Sequence, residues 1–320
     1  YKRQGGRQMP SHWGHKDLNI VSQSSPTGTQ FLQAVGAAIA VKRQGLDSVV
    51  YVSAGEGTIA QGSYHEALNW AAREKLPVIF LIQNNEYAIS VHISEQLAGE
   101  SVVKISSGYE GLHTERINGL DYVTCHAAFS NAVARARAGE GPSVISARVV
   151  RLQSHSISDN QYKYRTPAEI TKDQEHDPIV LFRERLLKEK ICTEDDFQEI
   201  ESGIDSEIKE ASEWATKQAD PIPENYALNV YKDSYPREGI EENLNPGGEE
   251  VFMVEAINRG LKEEMELNDK MLIYGQDVAG GKGGVFTATH NLTELFGKDR
   301  VFNAPLAEAS IVGTAVGLAT

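Results

Sequence analysis

The sequence predicts an α/β protein, a parallel sheet flanked by helices, followed by the start of a second α/β domain. Three observations carry this. Residues 48–53 (SVVYVS) and 78–82 (VIFLI) are short, β-branched and apolar throughout, as strands buried on both faces are. Between them Ala67, Leu68, Trp70 and Ala71 mark one face of a helix, so the segment is a βαβ unit with parallel strands and a right-handed crossover. Beyond residue 249, after a proline-punctuated stretch, a helix and strand pattern begins again.

In chain order, Pro26 interrupts the polar run 22–33 (SQSSPTGTQFLQ), and residues Thr27 to Gln30 can box the start of a helix through Phe31, Val35, Ala38 and Val41. Such an N terminus serves either as a plain cap or as an anion site. The strand at 48–53 runs into Gly55-Glu56-Gly57. Ser63 with Glu66 predicts a capping box for the next helix, which Pro77 stops ahead of the strand at 78–82. Asn84-Asn85 follows that strand. Residues 114–117 read as a strand, Asn118-Gly119 as a turn, and 123–138 as a helix with Val133 and Ala134 inside and Arg135 and Arg137 near its end. Residues 143–149 (SVISARV) alternate as a further strand, and 151–165 form a polar loop.

Three charged amphipathic helices are predicted at 177–189, 193–203 and 205–219. Pro221, Pro223, Pro236, Pro246 and Gly247-Gly248 then make 220–248 a linker. The expected organisation is therefore a first domain over 1–219, the linker, and the start of a second domain over 249–320. In that second part Val251, Phe252, Val254, Ile257, Leu261 and Met265 mark a helix face. A strand at 271–274, a short helix at 291–296, a strand at 300–302 and an apolar helix at 311–318 follow.

Composition narrows the function. The 320 residues carry a net charge of -14 with no long basic stripe, which argues against nucleic acid as a partner. The longest apolar run, 34–41, is far shorter than a membrane span, and no secretory leader opens the chain, so the expected setting is a soluble intracellular one. Cys125 and Cys192 are the only two cysteines and lie far apart, which argues against a disulfide framework or a thiolate metal site, and they read as packing residues. The polar start without methionine, and the end inside an apolar helical pattern, predict a piece of a longer protein.

The chemistry concentrates where strands end. Glu56 and Asn84-Asn85 both follow the carboxyl ends of strands in one sheet, the place where open α/β folds bind ligands. One carboxylate, an amide oxygen and turn carbonyls make a hard oxygen-donor site suited to Mg²⁺, which completes its shell with substrate phosphates and water. Gly55 and Gly57 allow backbone to approach a bulky anion. His12 and His15 have no carboxylate or cysteine at ligand spacing and read as loop histidines. Residues 275–284 (GQDVAGGKGG) lack both the Walker ending and the dinucleotide spacing, so they are not a nucleotide loop. His155, between serines on the loop after a strand, is either a proton donor or anion ligand or a solvated loop histidine. Glu308, a lone acid at the head of an apolar segment, is either a helix N-terminal charge or a functional acid.

These residues carry a resemblance. The acid between two glycines, followed after the 26 positions 58–83 by Asn-Asn, resembles the thiamine-diphosphate motif. In the same order, GRQMPSHWG, SSPTGTQFLQAVGAA, GEGTIAQGSYHEALNWAA, QNNEYAIS and SHSISDN resemble the α subunit of 2-oxo acid dehydrogenases, nearest the branched-chain type. The likeness is strong over 5–165. Residues 275–313, from GQDVAGG to PLAEASIVG, resemble the opening of the β subunit, which implies a fused, bacterial form with most of the β portion, and its second catalytic histidine, absent from this sequence.

The resemblance implies a thiamine-diphosphate-binding fold and oxidative decarboxylation of a 2-oxo acid, branched-chain or pyruvate. The acyl unit would pass to a lipoyl group of an acyltransferase partner. The alternatives are another thiamine enzyme of transketolase type and a non-catalytic scaffold retaining the fold. By position it implies Glu56, Asn85 and the Tyr87 carbonyl as Mg²⁺ ligands. Ser25, Thr27, Gly55, Glu56, Gly57, Thr58, Asn85, Ala88 and His155 would bind cofactor, and Glu308 and His155 would be catalytic. Ser156 matches a serine that some mitochondrial relatives phosphorylate. Three departures stand out: Thr27 where relatives have a bulky apolar residue, Gln83 where they have arginine, and Glu86 where they have glycine. Because Glu56 and Glu308 fall in different domains, an obligate homo-oligomer of fused chains is expected. The expected location is the bacterial cytoplasm, or the mitochondrial matrix in a eukaryote.

Overall fold

The structure, a computed structural model, describes His12, residues 14–22, 24–220, 222–225, 249–281 and 283–320. The motif GRQMP and most of the linker therefore lie outside the described residues. Contacts divide the chain into two units, His12–Lys217 with Val312–Thr320, and the described part of Gln218–Ile311.

In the larger unit the elements run α1 (Thr29–Arg43), β1 (Val50–Gly55), α2 (Gly62–Arg73), β2 (Val78–Asn84), the short pair β3 (Tyr87–Ala88) and β4 (Val91–His92), and α3 (Val102–Ser106). They continue as β5 (His113–Asn118), α4 (Tyr122–Arg137), β6 (Ser143–Arg148), α5 (Pro167–Gln174), α6 (Pro178–Lys188) and α7 (Glu194–Lys217). Four parallel strands form one sheet in the order β1-β2-β6-β5. Alternate residues of the strands face opposite layers. Ile79, Leu81, Ile145, Ala147 and Ile117 pack against Ala128 and Ala132 of α4. On the other face Phe80 meets Phe31 of α1 at 6.0 Å between ring centres, and Phe31 meets Tyr64 of α2 at 5.0 Å. Tyr64 is fully buried, and its hydroxyl is satisfied by Ser106 at 2.7 Å, while Ser106 donates to the Val102 carbonyl.

Several expectations change. The capping box at Ser63 and Glu66 does not form: α2 starts at Gly62 behind Gln61, which places both residues inside the helix with no side-chain cap. Nor do residues 27–30 box α1. Its N-cap is Gly28 at φ 96°, a left-handed conformation that suits glycine, with Gly28 N bonded to Gln30 Oε1 and Thr29 Oγ1 to the Pro26 carbonyl. β6 is buried at every position but its last, because it is central between β2 and β5 rather than half exposed. The helices expected at 193–203 and 205–219 are one continuous helix, α7. Gly203 sits inside it at a cost of order 1 kcal/mol relative to alanine, too little to break it. α5 was not anticipated; Thr166 and Glu169 form its capping box, with Pro167 at the first helical position.

The smaller unit begins with α8 (Met253–Leu267), followed by β7 (Ile273–Gly275), α9 (Leu292–Phe296) and β8 (Val301–Asn303); β7 and β8 are parallel. Met265, Leu292 and Val301 form its core. Arg300 donates to the carbonyls of Met265, Asn268 and Met271, satisfying the backbone where α8 ends and β7 approaches. The last helix, α10 (Glu308–Ala319), starts at Glu308 rather than at residue 311. Its residues Val312–Thr320 belong to the larger unit, where Gly313 and Gly317 meet Leu32 and Gln33 of α1, and Gly36 meets the backbone of Thr314. No helix among the described residues is long and apolar enough to cross a membrane.

Candidate active site

The turn after β1 and the turn after β2 meet. β1 and β2 are register partners as far as Gly55 opposite Gln83, so their parallel chains deliver Glu56 and Asn84-Asn85 side by side. Two consecutive side-chain turns shape the second loop: Asn84 Oδ1 accepts from Glu86 N, and Asn85 Oδ1 from Tyr87 N, both at 3.0 Å. This is the local reason for two asparagines in succession. Asn85 N then donates to Glu56 Oε2 at 3.2 Å. The other carboxyl oxygen, Glu56 Oε1, is buried with no hydrogen-bond partner, in a residue that is 1% exposed.

A buried carboxylate oxygen without a hydrogen-bond partner is costly, and burial pushes the Glu56 pKa up. The hydrogen bonds from the backbone of Glu56 and Asn85, and the charge of Arg151, oppose that rise, while Glu86 adds to it. The Arg151 guanidinium donates to the carbonyls of Tyr87 at 2.7 Å and Ile89 at 2.5 Å, and lies 3.5 Å from Asn85 Oδ1. Arg151 is thus a cation already lodged among the oxygens expected to hold a metal. No role for it was read from the sequence. The available signal was its place three residues beyond the buried strand β6, next to the strand that carries the asparagines.

Arg151 also ties in the loop that carries His155. Its Nη1 reaches the Tyr164 hydroxyl at 3.1 Å; Tyr164 donates to Asp159 Oδ2 at 2.6 Å, and the same oxygen accepts from His155 N at 2.9 Å. These bonds hold the Asp159 carboxyl below its usual pKa, that of Tyr164 first among them. Arg165, 5% exposed, bonds the Arg151 carbonyl, Gln161 and Asp173. The His155 side chain is exposed, as is Ser156, whose hydroxyl lies 3.1 Å from that of Ser158.

The remaining cofactor candidates gather in part. An added Cβ on Gly57 would stand 2.5 Å from the Ala88 Cβ, so glycine is needed there for the two turns to touch. A Cβ on Gly55 would meet open space, so no close approach within the chain demands glycine there. Gly28 lies against Gln61 and the Thr58 methyl, which brings the loop carrying Ser25 and Thr27 to the turn after β1. Ser25 Oγ is 3.2 Å from His12 Nε2. Glu86 adopts φ 69°, the left-handed region where relatives' glycine is at ease. Glu308, in the smaller unit, is exposed at the head of α10; Gln276 hydrogen-bonds its carboxylate and, with its own backbone N–H, holds its pKa below the ordinary value. Among the described residues no group of three or more His, Cys, Asp or Glu could hold a metal; the set at Glu56 has one carboxylate with amide and carbonyl oxygens.

The profile of the family described as "Dehydrogenase E1 component" matches residues 1–224, more than half of the sequence. The chain belongs to the dehydrogenase E1 component family. The profile "Transketolase, pyrimidine binding domain" matches 249–320, and both families bind thiamine diphosphate. Among the relatives, the 2-oxoisovalerate dehydrogenase subunit alpha of Bacillus subtilis is 37% identical over 227 residues, 71% of this chain and 68% of the relative. The mitochondrial 2-oxoisovalerate dehydrogenase subunit alpha of Mus musculus is 36% identical over 71% of this chain and 52% of its own length. The 3-methyl-2-oxobutanoate dehydrogenase subunit alpha of Mycobacterium tuberculosis is 42% identical over 50% of this chain and 43% of its own. The chain thus spans about half the length of the mouse and mycobacterial relatives.

Proposed function

We propose that this E1 chain is the decarboxylating component of a 2-oxo acid dehydrogenase complex, acting on a branched-chain 2-oxo acid with thiamine diphosphate and Mg²⁺. The observation that carries the reading is the orphaned, buried Glu56 Oε1, whose companion oxygen accepts from Asn85 N at 3.2 Å. A hard divalent cation would supply the partner that this oxygen lacks, and Glu56, Asn85 and the Tyr87 carbonyl are the ligands it would take. Thiamine diphosphate, when bound, supplies the electron sink for loss of carbon dioxide.

The chain's own residues then have separate tasks. The turn after β1, with Gly57 packed on Ala88 and Thr58 on Gly28, lines the diphosphate end together with Ser25 and Thr27. Arg151 adds positive charge and fixes the Tyr87 carbonyl. His155, carried on the braced loop, steadies the substrate carboxylate or moves a proton. Glu308, whose carboxylate Gln276 hydrogen-bonds, would hydrogen-bond the aminopyrimidine of the cofactor and favour the tautomer that removes the thiazolium proton.

In this reading the acyl unit passes to a lipoylated acyltransferase partner and the fused chains assemble as a homo-oligomer. The boundary between the two catalytic portions falls at 220–248, and the enzyme works in the bacterial cytoplasm or the mitochondrial matrix. The test is calorimetric titration of the full chain with thiamine diphosphate and Mg²⁺, then release of labelled carbon dioxide from a panel of 2-oxo acids. Mg²⁺-dependent binding with turnover of a branched acid supports the reading. No binding, or Mg²⁺-dependent affinity unchanged in Glu56→Ala, would overturn it.

A further inference from the structure

A second ligand-sized feature opens at the other side of the sheet. Asn118 and Arg148 are register partners and the last residues of β5 and β6, so both stand at the carboxyl end of the parallel sheet. In the order β1-β2-β6-β5 this is the edge away from β1, whose end leads to Glu56. There they line a half-open pocket of about 250 Å³, flanked by the start of α4 and by the segment 176–185.

Two donors facing this pocket have no partner among the described residues, the Asn118 amide and the Arg148 guanidinium. Asn118 Oδ1 is taken by Leu120 N, which leaves its amide nitrogen unused. His176 Nδ1 is taken by the Lys172 carbonyl at 2.6 Å. Arg148 is exposed, and its guanidinium has no ion pair or hydrogen bond among the described residues. The one acid in the lining is already occupied. Asp121 Oδ1 accepts from Val123 N and from Arg185 Nη1 at 3.2 Å, and Oδ2 from Thr124 Oγ1. Arg185 is shared between Asp121 and Glu189, the latter at 2.9 Å, whereas the Arg148 guanidinium has no ion partner among the described residues. Beside the donors stands an apolar wall, Tyr122 and Phe182 with ring centres 5.0 Å apart, backed by Leu120 and Leu181.

We propose that this cavity is a binding site for a small organic carboxylate with a compact apolar body. The carboxylate would take the Arg148 fork and the Asn118 amide, and the body would lie on the Tyr122 and Phe182 rings. The unpaired Arg148 guanidinium offers a fork that one carboxylate fills. A doubly charged phosphate would be left undercompensated beside Asp121, and would make no use of the aromatic wall. The volume is below the ~300–1,000 Å³ of sites for drug-sized ligands, which limits the body to a few heavy atoms. None of these residues belongs to the proposed cofactor site, so the inference stands apart from the reading above.

The experiment is calorimetric or NMR titration of the full chain with benzoate, benzamide and inorganic phosphate. Benzoate binds and benzamide does not; Arg148→Gln weakens benzoate by about tenfold or more, while Arg148→Lys recovers part of the loss because it keeps charge but not the fork. Since the Arg148 side chain holds nothing else in place, Arg148→Gln folds normally and keeps its affinity for thiamine diphosphate with Mg²⁺. Glu56→Ala, which tests the cofactor site, leaves benzoate binding intact. Equal binding of benzamide, stronger binding of phosphate than of benzoate, or an unchanged benzoate affinity in Arg148→Gln overturns the proposal.

Discussion

Arg151 Nη2 donates to the Tyr87 carbonyl at 2.7 Å, and with Nη1 on the Ile89 carbonyl it clamps both ends of the short strand that follows the two asparagines. Ile89 is β-branched and sits at φ 54°, a conformation such residues rarely adopt. The clamp therefore holds backbone that local preference opposes. Arg151→Ala removes the donor from both carbonyls and from the Tyr164 hydroxyl. The expected loss is about 3 kcal/mol in denaturant unfolding, with Arg151→Lys restoring less than half because an ammonium cannot span both carbonyls.

Glu56 carries two opposite expectations. Its pKa is raised by burial, so in the metal-free chain the protonated form is favoured by folding. That contribution is fully present below the ordinary carboxylate pKa and is lost as pH rises through the raised folded value. Metal-free stability at pH 7 should then be higher in Glu56→Gln than in the parent, while Mg²⁺-dependent affinity for thiamine diphosphate collapses. Thermal unfolding without metal, paired with calorimetry with it, checks both signs.

Glu86→Gly should relieve the left-handed strain, worth about 1 kcal/mol, partly offset by the greater freedom of glycine in the unfolded chain. It also removes a like charge that pushes the Glu56 pKa up, so the pH at which metal-free stability falls should move down. A pH series of unfolding midpoints on the parent and the variant reads both effects.

Gly36→Ala tests the packing of residues 312–320 on α1. A Cβ at Gly36 would stand 2.0 Å from the Thr314 carbonyl oxygen, far inside any contact real atoms make, so one helix has to shift. The expected cost is about 1–3 kcal/mol of overpacking, measured by denaturant unfolding. An exposed helical glycine, Gly203 in α7, should instead gain from the same change by up to about 1 kcal/mol.

Sequence by itself determined the parallel sheet around 48–53 and 78–82, the placement of Glu56 and Asn85 at neighbouring strand ends, and the family. Each of these rests on short-range pattern: unbroken apolar runs, a fixed spacing, glycines beside an acid. It misjudged caps and helix breaks at Ser63, Thr27 and Gly203, where a local signal worth about 1 kcal/mol was overridden by packing. Only the tertiary structure decided that Arg151, more than sixty residues from Tyr87 in sequence, lies against its carbonyl, and that the second oxygen of Glu56 is left buried without a partner. Likewise only the strand order brought Asn118 and Arg148 together at one edge. The reason is the same in each case: which polar groups meet depends on how strands distant in sequence are ordered in the sheet, and residue spacing along the chain does not encode that order.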